Sequence, residues 1–80
     1  MSNYYVTQLN SVIIQKSWSN IFGTLSDENS GKLIKALFLF MDGNEVEIED
    51  KTLDGIFRMM SEQIENSARK YVIRAGLEEE

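Results

Sequence analysis

The run from Lys32 to Gly43, KLIKALFLFMDG, is the most apolar stretch of the chain, and it ends in a helix-stop signal. At 100° per residue its apolar side chains fall within one arc of about 160°, wider than the stripe of an ordinary surface helix. These side chains are Leu33, Ile34, Leu37, Phe38, Phe40 and Met41. We therefore predict a helix over residues 27–42 that is covered on more than one side, with Ser26 as N-cap and Gly43 just beyond its end.

The clearest helical period lies at residues 51–75, where one arc of about 120° runs over five turns. Its members are Leu53, Ile56, Phe57, Met60, Ile64, Ser67, Ala68 and Tyr71. Either Asp50 or Thr52 can cap this helix. Two i,i+4 ion pairs in the favourable order are expected on its surface, and they are Asp54 with Arg58 and Glu65 with Arg69.

The N-terminal part gives a weaker helical signal because its apolar phase breaks between Ile13 and Ile14. We predict a first helix over residues 12–23, with Trp18 as the main core anchor because it is spaced four from Ile14 and from Phe22. Residues 1–11 are predicted to form a short extended arm, since Tyr4, Tyr5 and Val6 favour β structure. Residues 76–80 are predicted to be an acidic tail.

Residues 42–50 form a segment that we call the acidic connector. In NEVEIED, Val46 and Ile48 alternate with glutamates, which predicts a segment that pins two apolar side chains to the bundle. The whole chain is then one domain, 1–80, of the all-α class: a compact three-helix bundle with an extended N-terminal arm and an acidic connector before the third helix.

Composition excludes several kinds of chemistry. The chain has no cysteine and no histidine, so it lacks disulfides, thiolate metal sites and the commonest general base. The longest apolar run, ALFLFM, is too short to span a bilayer, and a cytoplasmic protein is expected. Residues 1–40 carry three lysines against two acids, whereas residues 41–80 carry five basic residues against eleven acids, a balance of −6. Direct binding to nucleic acid is disfavoured by this charge.

The acidic connector is the one dense cluster of ionisable groups, with Asp42, Glu45, Glu47, Glu49 and Asp50. These residues do not follow the calcium-loop spacing around the glycine, and they lack a supporting nucleophile for catalysis. We expect no enzyme activity, no catalytic residues, no metal and no cofactor. Two interpretations of the acidic connector remain: it is a solvated loop that keeps the protein in solution, or it is an acidic face that contacts a basic surface of a partner.

Three apolar residues point away from the predicted helix stripes, and they are Leu39, Met59 and Ile73. Leu39 and Met59 join the connector carboxylates as candidate contacts to a protein partner, although scattered exposed apolar residues are also normal on a protein surface. A homodimer is a further arrangement that this pattern allows.

The order KSWSNIF, TLSDE, LIKALFLFMDGNEVE and LDGIFRMMSEQIENSARKY resembles a family of helical domains of unknown function common in phage and prophage proteins. The resemblance covers about residues 12–71. The matching positions are Lys16, Ser17, Trp18, Ile21, Leu25, Ala36, Phe38, Gly43, Glu45, Ile56, Phe57, Gln63, Ile64, Asn66, Arg69, Lys70 and Tyr71. The resemblance implies a phage-type origin and, in longer members, a link to replication modules with basic sequence after the third helix. Here the sequence AGLEEE stands at that place.

The sequence thus predicts a non-enzymatic, phage-type protein that docks on a partner protein. An acidic inhibitor of a host nucleic-acid-handling or defence complex, such as a CRISPR effector, is the first hypothesis, since acidic surfaces can imitate the charge of nucleic acid. The partner would then carry a basic nucleic-acid-binding groove. A replication-linked adaptor or organiser module of a phage is the alternative.

Overall fold

The long third helix is the element against which the other parts of the chain pack. The computed structural model describes residues 4–75, and within them it contains a 3-10 turn, Val6–Gln8, and three α-helices: α1, Trp18–Thr24; α2, Asp27–Met41; and α3, Lys51–Ala75. No strand is found among these residues. Helix α3 contacts both α2 and the 3-10 turn. The predicted all-α three-helix bundle is confirmed.

Helix α2 begins and ends with the capping groups that the sequence predicts. The Ser26 hydroxyl accepts a hydrogen bond from the Asn29 amide at 3.0 Å. At the other end Gly43 has φ +90°, and its amide donates to the Phe40 carbonyl while the Asn44 amide donates to the Leu39 carbonyl. This paired closure satisfies two carbonyls that the helix leaves free. The helix ends at Met41, one residue before the predicted end, because Asp42 is its C-cap.

Helix α3 has the predicted bounds, and Asp50 is the cap rather than Thr52. The Asp50 carboxylate accepts a hydrogen bond from the Leu53 amide at 3.0 Å, which satisfies one free donor of the first turn. The predicted pair between Asp54 and Arg58 forms at 2.8 Å. Both ends of the acidic connector are therefore fixed by helix-terminal hydrogen bonds.

The core lies mainly between α2 and α3. Leu33, Leu37 and Met60 are fully buried, and the rings of Phe40 and Phe57 meet edge to face with centroids 6.0 Å apart. Trp18 is 4% exposed, so the predicted anchor of the first helix is confirmed. These contacts place the apolar run of α2 at the centre of the molecule.

Part of the predicted core is exposed. Phe38 is 60% exposed and Tyr71 is 58% exposed. Ile14, Ile34 and Ser67, also assigned to buried stripes by the sequence, are exposed as well. Helix α1 has seven residues and α2 has fifteen, so α1 is about 10 Å long and cannot cover a second side of α2 along its length of about 22 Å.

The first helix begins at Trp18, so the prediction of a helix from residue 12 is wrong at its start. Val12, Ile13 and Ile14 are β-branched residues, which lose side-chain freedom in a helix. Val12 packs against the core, whereas Ile13 is 80% exposed. Helical hydrogen bonding starts only where the Trp18 amide reaches the Gln15 carbonyl. The helix then runs through Gly23 and ends at Thr24.

The predicted extended arm instead contains the 3-10 turn, with a residue of the core inside it. Val6 is 1% exposed, and Leu9 is partly buried against the same core. Residues 1–3 and the predicted acidic tail, 76–80, lie outside the described residues. Residues 4–9 are therefore part of the packed structure, and we call them the docked segment.

Candidate binding surface

The acidic connector has an inner apolar side and an outer acidic side. Val46 and Ile48 are partly buried against the core, as the sequence predicts, and Glu45, Glu47 and Glu49 are exposed. This alternation is that of an extended segment, in which successive side chains point to opposite faces. We call the three glutamates the carboxylate row.

The carboxylate row forms no ion pair with the part of the chain that the structure describes. In an extended segment, residues two apart are separated by about 6.6 Å. The ion pairs found among residues 4–75 are Glu28 with Lys32 and Asp54 with Arg58, so no glutamate of the row is paired there. The row thus presents three carboxylates without an ion-pair partner among residues 4–75, and the partly buried Val46 and Ile48 between them pack against the core.

A cleft of about 560 Å³ lies between the connector and the first turns of α3. Phe40 and Phe57 contribute apolar surface to it, while Glu45, Glu47 and Arg58 contribute charged groups. The Arg58 guanidinium is held by Asp54 but stays two-thirds exposed.

The carboxylates of the connector do not converge on a point. Within residues 4–75 no group of three acidic side chains is placed to hold a metal ion. The polar side chains at the cleft are three carboxylates, the Asn44 amide and the Arg58 guanidinium, and the chain contains no histidine or cysteine. The arrangement is suited to electrostatic contact with a cationic surface.

The structure brings together only part of the predicted partner surface. Glu45 and Glu47 line the cleft, and Asp42 and Asp50 lie at the two ends of the connector as the caps of α2 and α3. Leu39 is 47% exposed and Met59 is 39% exposed, as predicted, but neither lines the cleft. These two residues are therefore separate from the site that the connector forms.

Sequence reasoning missed the contact made by Glu65. Its two carboxylate oxygens accept hydrogen bonds from the backbone amides of Tyr5, at 2.7 Å, and Val6, at 2.9 Å. The predicted ion pair with Arg69 is wrong, because Glu65 is 7% exposed and faces the docked segment. Ser61, Glu65 and Val72 are buried at helical spacing beside the predicted stripe, and Val72 is the apolar member that could have indicated this wider buried face.

A second groove, of about 430 Å³, continues from the docked segment along α3. Leu9, Val12 and Ile13 form one wall, and Ile64 and Ala68 belong to the other. Tyr71 also borders this groove, which explains why a residue on the predicted stripe is accessible to solvent. Residues 8–13 thus face the side of α3 that carries Ile64 and Ala68.

Within residues 4–75, no helix combines the length and the apolar character that crossing a bilayer requires.

The fold is that of a small helical domain, and a comparison with protein families identifies the family to which it belongs. The chain belongs to DUF6291, a family of unknown function, whose model matches residues 11–76. No curated protein and no solved structure matches the chain. The expected domain of unknown function over residues 12–71 is thereby confirmed, whereas phage origin and a link to replication stay predictions. All three α-helices fall within the matched range, and the docked segment precedes it.

Proposed function

We propose that this protein is a non-enzymatic, phage-type binding protein whose carboxylate row docks on a basic surface of a partner protein. In this proposal it inhibits a host nucleic-acid-handling or defence complex by occupying the surface that would otherwise hold nucleic acid. The observation that carries the proposal is the exposure of Glu45, Glu47 and Glu49 without an ion-pair partner among the described residues.

Rigid placement of these charges supports the proposal. Val46 and Ile48 pack into the core, and the helix caps at Asp42 and Asp50 fix the two ends. A charged segment that is already ordered loses little conformational entropy when it meets a partner. The row can therefore offer its charges to a basic groove at a small ordering cost.

The distribution of charge supports fast association. Residues 42–50 carry five acidic residues and no basic one, and the exposed glutamates of the carboxylate row lie among them. A field of one sign on one part of a molecule steers an oppositely charged partner and raises the association rate. The same charge repels phosphates, so the proposed partner is a protein rather than nucleic acid.

A replication-linked adaptor of a phage is the second candidate. Exposed apolar residues on α2, namely Ile34, Phe38 and Leu39, favour it, because an adaptor would hold another protein through apolar contacts. Such binding would depend weakly on salt, whereas binding through the carboxylate row would weaken as salt rises.

A quantitative pull-down from host lysate, treated with nuclease, tests the proposal. The bait is the full chain, compared with Glu45→Gln/Glu47→Gln/Glu49→Gln and with a control, Asp27→Asn/Glu28→Gln/Glu62→Gln, that removes three exposed charges elsewhere. We expect a protein with a basic nucleic-acid-binding surface to be retained by the wild type and the control but lost from the first variant. Retention of the same proteins by all three baits would contradict the proposal. Capture of helicase or primase components independently of the row would favour the adaptor.

A further inference from the structure

The docked segment is held by contacts of the kind that a protein makes with a bound peptide. Both oxygens of the Glu65 carboxylate are engaged by two successive backbone amides, those of Tyr5 and Val6. The Val6 side chain is buried in the core. Thr7 lies over the turn that ends α2, since a Cβ at Gly43 would stand 3.4 Å from the Thr7 methyl group. The site thus binds the backbone amides of Tyr5 and Val6 and buries the Val6 side chain.

The docked segment is set apart from the domain that binds it. The family match begins at residue 11, after the docked segment, and includes Glu65 and Gly43. Residues 11–15, which connect the segment towards α1, form no regular secondary structure. Ile13 and Ile14 in this connection are 80% and 51% exposed. Val12 packs against the core, whereas residues 13–15 are exposed, so this part of the connection can change its path while the segment keeps its own contacts.

We propose that the Glu65 face of α3 is a peptide-docking site that also accepts the docked segment of a second copy, so that two chains exchange their N-terminal segments. Every contact of the docked segment with α3 and with the Gly43 turn is reproduced when the segment comes from another chain. Exchange of an identical element needs no new complementary surface, which makes it an accessible route to a dimer. Glu65 and Val6 would then form their contacts between copies.

The length of the connection, residues 11–15, determines whether the chain's own segment or that of a second copy occupies the site. A short flexible connection gives the chain's own segment an effective concentration on the order of millimolar. Below that protein concentration the intramolecular arrangement prevails, and the exchanged dimer is a minor species. Shortening the connection removes this advantage, because the segment then reaches the site on a second chain more easily than its own.

Deletion of residues 13–15 tests the proposal in the full chain. The deletion shortens the connection by about 10 Å and removes side chains that are exposed. Replacement of the same three residues by Gly-Ser-Gly is the control, because it removes the same side chains at unchanged length. We expect the deletion to double the mass in sedimentation equilibrium, with the Tyr5 and Val6 amides still protected from hydrogen exchange, and the control to stay monomeric.

Adding Glu65→Gln to the deletion should weaken the dimer at least tenfold. A deletion variant that is monomeric, or a dimer that Glu65→Gln leaves unchanged, would overturn the proposal. If the deletion variant does not fold, the wild type decides the matter: labelled and unlabelled chains are refolded together at millimolar concentration. Intermolecular NOEs from the Val6 methyl groups to α3 would support exchange, and only intramolecular NOEs would overturn it.

Discussion

The Glu65 carboxylate accepts a hydrogen bond from the Val6 amide at 2.9 Å across 59 positions of sequence, and so ties the N-terminal segment to the middle of α3. The same carboxylate accepts a bond from Tyr5. One acidic side chain therefore satisfies two backbone donors and fixes the segment that buries Val6 in the core. The docked segment thus packs on α3, as α2 also does, in a bundle whose first helix is only seven residues long.

Glu65→Gln should destabilise the protein by about 2 kcal/mol. A hydrogen bond to a charged group contributes about 1.5–3 kcal/mol, and the glutamine side chain has one acceptor oxygen where the carboxylate has two. Denaturant unfolding followed by circular dichroism measures this. Glu62→Gln is the control, because Glu62 is exposed on the same helix and its change should stay within about 0.5 kcal/mol. Equal effects of the two variants would show that the bonds to the docked segment do not stabilise the fold.

Val6→Ala should cost about 2 kcal/mol, because it removes two fully buried methyl-sized groups at about 0.8 kcal/mol each and leaves a small cavity. In the Glu65→Gln background the cost should be smaller, since a loosened segment buries Val6 less of the time. A double-mutant cycle on unfolding free energies measures this coupling. Strict additivity would indicate that the Glu65 bonds and the burial of Val6 are independent.

Gly43→Ala should destabilise the fold by about 1–2 kcal/mol, because Gly43 has φ +90°, where a Cβ is strained. Gly55→Ala is the matched control. Gly55 lies in the exposed part of α3 with open space around it, so alanine should stabilise the helix by about 0.5–1 kcal/mol. Thermal unfolding of the two variants should shift the midpoint in opposite directions, and a stabilising Gly43→Ala would contradict the capping geometry.

Asp50→Ala should cost about 1 kcal/mol, since it removes the acceptor for the Leu53 amide at the start of α3. Glu49→Ala removes the same charge from the neighbouring position, which has no capping role, and should stay within about 0.5 kcal/mol. Chemical denaturation distinguishes the cap from the charge. A similar loss in both variants would mean that the charge, rather than the hydrogen bond, stabilises this end of the connector.

Local signals predicted those parts of the fold whose causes are local. Ser26 and Gly43 mark the ends of α2 because capping depends on a few neighbouring residues, and the alternation around Val46 depends on two faces of one segment. The connector carboxylates were found in the same way, from their density in sequence.

The contacts that sequence reasoning missed are decided at long range. Glu65 looks like a surface residue beside Arg69 until the docked segment, some sixty positions away, supplies two amides. Phe38 looks like core because the periodicity of α2 does not reveal how short α1 is. The residues around Val6 show no regular apolar pattern from which its burial could be predicted. In each case the missing information is which other element covers the residue.

The salt dependence of association shows whether the carboxylate row is the surface that binds the partner. The partner retained in the pull-down is immobilised, and its association rate constant is measured by biosensor between about 0.05 and 0.5 M salt, over which exposed charges become screened. For the wild type and for Asp27→Asn/Glu28→Gln/Glu62→Gln, we predict a rate that falls at least tenfold across this range. For Glu45→Gln/Glu47→Gln/Glu49→Gln we predict a slow rate that hardly changes with salt, and a fall as steep as that of the wild type would contradict the account.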